Sequence, residues 1–374
     1  MKNDYPLSGE VRSLTSFRFL AAFYVFLFHI QIRVPVFGDG AIGDAIAEGA
    51  VGMSMFFVLS GFILSHAYRA VRIDFRNYMI NRVARIYPVY VLAAALAAPW
   101  LASDFLNQLQ AVSPIYAVLS IFIILIFGIL LIQAWLPQTF GFWNNSASWS
   151  ISAEAFFYAL FPFLRERMRN IDNKRLIVLF VTLCILSTLV PASSIVFTES
   201  PASFSLFYAL PAYRLPEFVA GIIAYQVMVR VELSDFLRRM LKGVVFCGVL
   251  HVFIVGPILP GFTLNNWIFI PAVCASLVLL FKSEAPASGG FMQSSIFVWL
   301  GRISYCFYSF QFHVLEGLKH FMPAQYAGGW LYLLVAFMLL VGISAAVHHL
   351  FEEPVRIWLR KRSKDRSSTS EVLE

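Results

Sequence analysis

The chain has 374 residues, of which 59% are hydrophobic and 13% charged, about half the charged share of an ordinary soluble domain, roughly 25%. That composition excludes a water-soluble protein, and runs such as 117–132, apolar on every face, exclude a β-barrel, whose strands alternate apolar and polar residues. The net charge of +7 suits either a nucleic-acid partner or a membrane topology signal until the positions of the basic residues are read.

Eleven apolar segments follow in chain order: 16–34, 47–68, 81–101, 113–136, 149–164, 176–192, 204–229, 243–259, 267–282, 295–320 and 330–351. Helices are the only open-ended way to cross a bilayer with every backbone group satisfied. The expected fold is therefore an all-α, polytopic transmembrane helical bundle. Arg18 sits where the apolar core of a cleaved signal would begin, so the first helix is expected to stay as an anchor. Cys184, Cys247, Cys274 and Cys306 all lie inside apolar runs without CxxC spacing, which argues against disulfides and structural zinc.

Basic residues cluster at the N-terminus, at Arg69 to Arg85, at Arg165 to Arg175, at Arg230 to Lys242 and at Arg356 to Arg366. By the positive-inside rule all five clusters are expected to be cytoplasmic. Eleven full crossings would put Arg165 to Arg175 outside, so one segment must fail to cross. Segment 113–136 is flanked by loops without Lys or Arg and carries Gly128, where a hairpin can turn; it is expected to be re-entrant or to lie along the outer surface. The remaining ten spans put both termini inside. They leave 25 of the 28 basic residues on the cytoplasmic side or its interface, with Arg33 and Lys319 outside and Arg214 within a span. The basic charge thus reads as topology and not as a nucleic-acid site. Residues 1–362 form one membrane domain, and 363–374 read as a disordered cytoplasmic tail.

Ionisable residues inside spans are costly and mark function by default. In the first span Arg18 and His29 are eleven residues apart, about 16 Å of rise and about 20° past three full turns. They share one face at different depths, which suits a long substrate with its charged end inside; an interfacial anchor plus a core histidine is the plainer alternative. Arg82 and Arg85 open the third span at i, i+3 spacing, so both guanidinium forks can converge on one anion, or they serve only as anchors. Glu154 begins a span from the outer side and can hold a histidine, contact hydroxyls or complement the helix dipole. Arg214 and Glu217, in a span broken by Pro211 and Pro216, form an internal ion pair or a polar cavity wall. Arg302, Gln311 and His313 repeat the arginine-to-histidine spacing of the first span. His29, His66 and His313 lack local ligand spacing, so no metal is expected.

Taken in order, these residues resemble the acyltransferase-3 family of integral membrane acyltransferases, from Leu14 to Pro354. Arg18 to His29 is similar to the family's Arg-x10-His signature. Phe56 to Phe62 (FFVLSGF, with Ser60) resembles its second-helix element. Arg82-Val83-Ala84-Arg85-Ile86-Tyr87-Pro88 resembles its RxxR-IYP motif, and Trp149-Ser150-Ile151-Ser152-Ala153-Glu154 its WSLSxE motif, followed by Phe156-Phe157-Tyr158 and Phe161-Pro162. Leu300-Gly301-Arg302-Ile303-Ser304-Tyr305 leads through Tyr308 to His313 like the family's LGxISYxLYLxH run, and Glu353-Pro354 closes it. The chain departs from many members at Ala155, where a second acid is common, and at Val314 and Leu315, where a proline follows the late histidine. Its length is that of members without a fused hydrolase-like domain.

The resemblance implies a membrane O-acyltransferase of the bacterial cytoplasmic membrane. It would move an acyl group, usually acetyl, from acyl-coenzyme A to a hydroxyl of a sugar, polysaccharide or glycolipid. On that reading Arg18, Arg82 and Arg85 hold the coenzyme's phosphates at the inner face. His29 acts as general base or carries the acyl group, and Glu154 orients the acceptor or a histidine. Ser60, Trp149, Ser152, Arg214, Glu217, Arg302 and His313 are further pocket candidates. The alternative is a secondary transporter of a small polar or anionic solute, which also combines about ten spans, proline-broken helices and buried charge; it predicts flux without thioester cleavage.

Overall fold

The computed structural model describes residues 10–109, 113–136, 148–197, 206–259, 261–283, 290–323 and 328–361. The tail expected to be disordered lies outside them. Among the described residues the regular structure is helical throughout: α1 Arg12–Gln31, α2 Ala41–Ala47, α3 Gly52–Ala67, α4 Phe75–Leu109, α5 Pro114–Ile129, α6 Trp149–Arg169, α7 Asn173–Phe197, α8 Pro211–Arg230, α9 Asp235–Ile254, α10 Asn266–Lys282, α11 Ser295–Ser309, α12 Gln311–Phe321 and α13 Gly329–Val347. Local sequence marks several starts. Prolines open α5 and α8, where the missing N–H costs nothing. The Ser234 hydroxyl caps α9 by accepting from the Leu237 amide at 3.2 Å, satisfying one orphan donor.

Six helical runs are long and apolar enough to cross a membrane: Arg12–Gln31, Ala41–Ala67, Phe75–Pro99, Asn173–Ser193, Phe262–Lys282 and Gly329–Lys361. The protein is an integral membrane protein with an all-α bundle. Helices α6, α8 and α9 have 21, 20 and 20 residues, about 30 Å each at 1.5 Å per residue, but carry more charge. The ten-span arrangement counts these three and the α11–α12 pair as crossings. Helix α5 has 16 residues, about 24 Å of rise, short of the hydrocarbon thickness of about 30 Å. Its outward side chains, Ile115, Val118 and Phe122 among them, are exposed.

Several features differ from the sequence reading, and helix α9, which starts at Asp235 and not at 243, is one. Helix α4, the third expected span, starts at Phe75, so Arg82 and Arg85 lie about two and three turns inside it and do not open it. The segment 295–320 is two helices broken at Phe310. The last helix continues past 351 to Lys361 through a π-helical turn at His348–Glu352. After α5 the chain reverses at Leu131, φ 57°, and not at Gly128. A left-handed leucine is strained, and the neighbourhood fixes it: Ser152 Oγ donates to the Leu131 carbonyl at 2.6 Å and accepts from the Ala134 amide at 3.3 Å. Tyr90 and Tyr87 donate to the carbonyls of Gly128 and Ile129 at 2.7 and 3.1 Å.

The bundle closes around α3, α6 and α8. Helices α3 and α8 touch backbone to backbone: a Cβ on Gly61 would fall 2.1 Å from the Phe218 carbonyl oxygen, and one on Gly221 would fall 2.0 Å from that of Val58. Lipid gives helices no hydrophobic drive toward one another, so such small-residue contacts and the van der Waals packing they permit hold membrane bundles together. Phe157 stacks on Phe218 and meets Phe57 edge to face, at 5.1 and 5.2 Å between ring centres. A second packed layer joins α1, α11 and α13 through Phe19, Phe26, Phe307 and Phe337.

Candidate active site

The interior of this bundle holds a cavity of about 80 Å³ lined from five helices. Arg18 of α1, Arg82 and Arg85 of α4, Ser60 of α3, Glu154 and Tyr158 of α6, and Tyr305 and Tyr308 of α11 all face it. The three arginines are 64 residues apart or more between α1 and α4, yet they share one chamber. None of the three makes an ion pair with a described residue. Arg82 is buried, and its Nε has no hydrogen-bond partner among the described residues. Its guanidinium instead lies 5.7–5.8 Å from the ring centres of Tyr68, Tyr78 and Tyr158, an aromatic box that supports a cation through the negative ring faces.

Glu154 is the one acidic residue in the lining. Its Oε1 accepts from the hydroxyl of Tyr158, one turn along α6, and from Ser60 Oγ at 3.4 Å. The Ser150 and Tyr308 hydroxyls pair at 3.0 Å, and Tyr305 donates to the Ile86 carbonyl at 2.6 Å. The chamber therefore combines three guanidinium donors, one carboxyl group and a rim of hydroxyls, within apolar walls of Met53, Phe56, Leu59 and Ile63. Such a site takes a ligand with an anionic end and an apolar or polar-neutral arm.

His29 lies outside this chamber. Gly49 and Gly52 pack against Tyr24, Phe28 and Val25, so His29 lies about one turn of α1 past the level of Gly52 and Met53. Its Nδ1 is 2.8 Å from Gln311 Oε1, and Gln311 Nε2 donates to the Ala22 carbonyl at 3.2 Å. The second bond fixes the amide orientation, so Nδ1 carries the proton and Nε2 presents a lone pair. Gln311, and not Glu154, orients His29. Tyr308, in the cavity wall, stands three residues before Gln311, so chamber and imidazole adjoin.

The other expected pocket residues have structural positions. Arg214 and Glu217 form a buried ion pair at 3.2 Å. Arg214 also donates to Ser54 Oγ at 3.2 Å, and Asn266 donates to Glu217 at 3.0 Å. Trp149 supports that pair, its ring 5.8 Å from the Arg214 guanidinium and 4.8 Å from Tyr208. Ser152 ties down the Leu131 reversal, and His313 Nε2 meets the Ala93 carbonyl at 2.8 Å. Arg302 is exposed and forked onto Glu10, at 3.1 and 2.5 Å. The break at Phe310 ends the resemblance between Arg302–His313 and the first helix. Tyr158, Tyr305 and Tyr308 were not singled out as site residues, although each falls inside a motif; hydroxyls on apolar helices were the available signal.

Glu352, in the π-helical turn, accepts from Cys306 Sγ at 3.2 Å and from His348 Nδ1 at 2.7 Å on one oxygen. These three side chains are buried and form the one His/Cys/acid cluster compact enough for a metal among the described residues; the hydrogen bonds already satisfy them.

The profile of the acyltransferase-3 family, described as an acyltransferase domain, matches residues 11–349. The chain is 29% identical over 384 residues to acyltransferase MdmB of Streptomyces mycarofaciens, covering 96% of this chain and 94% of that one. It is 27% identical over 224 residues to the protein named "Putative acetyltransferase ORF330" of Acidianus two-tailed virus, covering 60% of this chain and 58% of that one. No solved structure matches.

Proposed function

The chain belongs to the acyltransferase-3 family, and on that premise we propose that it is a membrane acyltransferase drawing an acyl group, most simply acetyl, from acyl-coenzyme A in the cytosol. The acceptor is a hydroxyl of a sugar, polysaccharide or glycolipid at the outer side of the bundle. One observation carries the donor assignment: three arginines converge on a chamber with a single acidic residue, and none of them forms an ion pair with a described residue. Guanidinium groups held in low dielectric without a paired carboxylate among the described residues favour a bound anion, and the coenzyme's phosphates supply it.

In this reading the phosphates sit among Arg18, Arg82 and Arg85, and the pantetheine arm runs past Glu154, Ser60 and Tyr308 toward His29. The free Nε2 lone pair of His29 takes the proton of the acceptor hydroxyl as its oxygen attacks the thioester carbonyl; the C–S bond breaks and coenzyme A leaves as thiol. Direct attack by Nε2, with an acyl-imidazole between, is the covalent variant of the same geometry. Glu154, held by Tyr158 and Ser60, positions the donor arm or the acceptor. The reading includes ten spans with both termini in the cytoplasm of a bacterial cell, an arrangement in which the arginines lie on the donor side.

The test is acyl-coenzyme A binding by the Arg82→Ala, Arg85→Ala double variant. Each lost charge-assisted contact is worth about 1.5–3 kcal/mol, so the double variant binds at least about a hundredfold more weakly. A donor lacking the 3′-phosphate should lose less. Equal losses for both donors would reduce the pair to membrane anchors.

A further inference from the structure

Helix α9 packs chiefly on α10, with smaller contacts to α2 and to the turn that follows α9. A Cβ on Gly248 would come within 2.3 Å of the Ala272 Cβ of α10. On either side of that contact α9 stands away from its neighbours. Toward α7 and α8 it leaves a cleft of about 300 Å³, walled by Leu237, Leu241 and Val244 of α9, by Ala224 and Val227 of α8 and by Val278 of α10. Toward α1 and α3 a second cleft of about 290 Å³ opens against Phe17, Met55, Val249 and Val252. Both are at the lower limit of ligand pockets, roughly 300–1,000 Å³.

The two clefts differ in charge. The first has a single charged residue in its wall, Lys282, at the C-terminal end of α10; the second has none. Ile177, Val231, Leu233 and Leu237 bring the start of α7 and the turn from α8 to α9 to that cleft, and these stretches carry Lys174, Arg175, Arg238, Arg239 and Lys242 with Asp172, Glu232 and Asp235; Arg230 is held by the carbonyls of Met168, Arg169 and Ile171. With Lys282 counted, these bases exceed the acids by three, and Asp172 is already paired with Arg175 at 3.2 Å. Beside the cleft Ile177, Val178, Phe236 and Met240 are exposed, so its mouth faces the hydrocarbon and not another helix.

We propose that the cleft between α7, α8 and α9 is a binding site for an anionic phospholipid, one acyl chain lying along Leu237 and Val227 and the phosphate at Lys282 and the basic rim. Apolar space in a protein interior is normally filled to crystal-like density, and here the medium that reaches the mouth is lipid. Each Lys or Arg near an anionic headgroup adds about 1 kcal/mol, which selects charge, while the apolar wall selects a chain. The second cleft, without a cation, has no such preference. This site is separate from the arginine chamber and does not depend on the acyl-transfer reading.

The experiment is native mass spectrometry of the full chain in mild detergent with equimolar phosphatidylglycerol and phosphatidylcholine of the same chain length. Wild type should retain phosphatidylglycerol at least about fivefold over phosphatidylcholine. Lys282→Glu should reduce that preference to about one- to twofold, and Ala224→Phe, which fills the wall, should lower retention of phosphatidylglycerol by about tenfold. Size-exclusion profiles check that both variants fold, and Lys282→Glu, at the rim, stands alone if the filled variant does not. Equal retention of the two lipids by wild type, or an unchanged preference in Lys282→Glu, would leave only the annular lipid of any membrane protein and overturn the proposal.

Discussion

Replacing Gly61 and Gly221 by alanine, singly and together, tests whether the chamber depends on the α3–α8 contact. A Cβ on Gly61 would lie 2.1 Å from the Phe218 carbonyl oxygen, against an ordinary contact of 3.4 Å or more, so the helices must part by about 1.3 Å. At Gly221 the same arithmetic with 2.0 Å from Val58 gives about 1.4 Å. Backbone atoms cannot swing aside as side chains do, so each alanine should cost about 1–3 kcal/mol. The displacement made for one alanine also accommodates the other, because both lie in one crossing. The double variant should therefore cost at least about 1 kcal/mol less than the sum of the singles. Helix α3 carries Phe56, Ser60 and Ile63 into the chamber wall, and a shift near 1 Å can lower turnover about a hundredfold. Reversible unfolding in mixed micelles, with coenzyme A release measured on the same preparations, reads both quantities. Strictly additive costs, or singles as stable and active as wild type, would refute the close-packed crossing.

His29→Ala should lower transfer by about 10²–10⁴-fold, the usual range of a general base, while the melting profile stays near wild type; Gln311→Leu, which leaves the imidazole without its orienting partner, should fall between the two. Near-normal turnover by His29→Ala would end its assigned role. Glu10, outside the membrane, is held below the ordinary carboxyl range chiefly by its hydrogen bond to Arg302, so the pair stabilises above the unfolded value of about 4.3 and loses that contribution as pH falls through the lower folded value. The partners are 54% and 35% exposed, which limits the effect to about 1 kcal/mol or less; Glu10→Gln should melt slightly lower at pH 7 and level with wild type in strong acid, and a difference that grew in acid would contradict this assignment. In a cysteine-free background, Ile258→Cys should react with an impermeant thiol reagent added outside cells and Asn170→Cys should not, and the reverse pattern would invert the topology and the donor side with it.

Much of this architecture was legible in the amino-acid order because two of its determinants are local. Hydropathy along the chain marks helices, since a bilayer permits no other open-ended backbone, and helical spacing marks which side chains share a face. The i, i+3 spacing of Arg82 and Arg85 put both guanidinium groups on one face of one helix, and the same rule paired Arg214 with Glu217. Side-chain periodicity is silent about neighbours on other helices, whose rotation and separation depend on packing. The motif resemblance grouped Arg18 with Arg82 and Arg85, and the fold lines one chamber with the three; only the fold sets Gln311 against His29 across 282 residues and draws Arg302 away to Glu10. Tertiary packing also chose the partners of Glu154, for which the sequence left a histidine, an acceptor hydroxyl and the helix dipole open: α6 lies against α3, and Glu154 bonds to Tyr158 and Ser60.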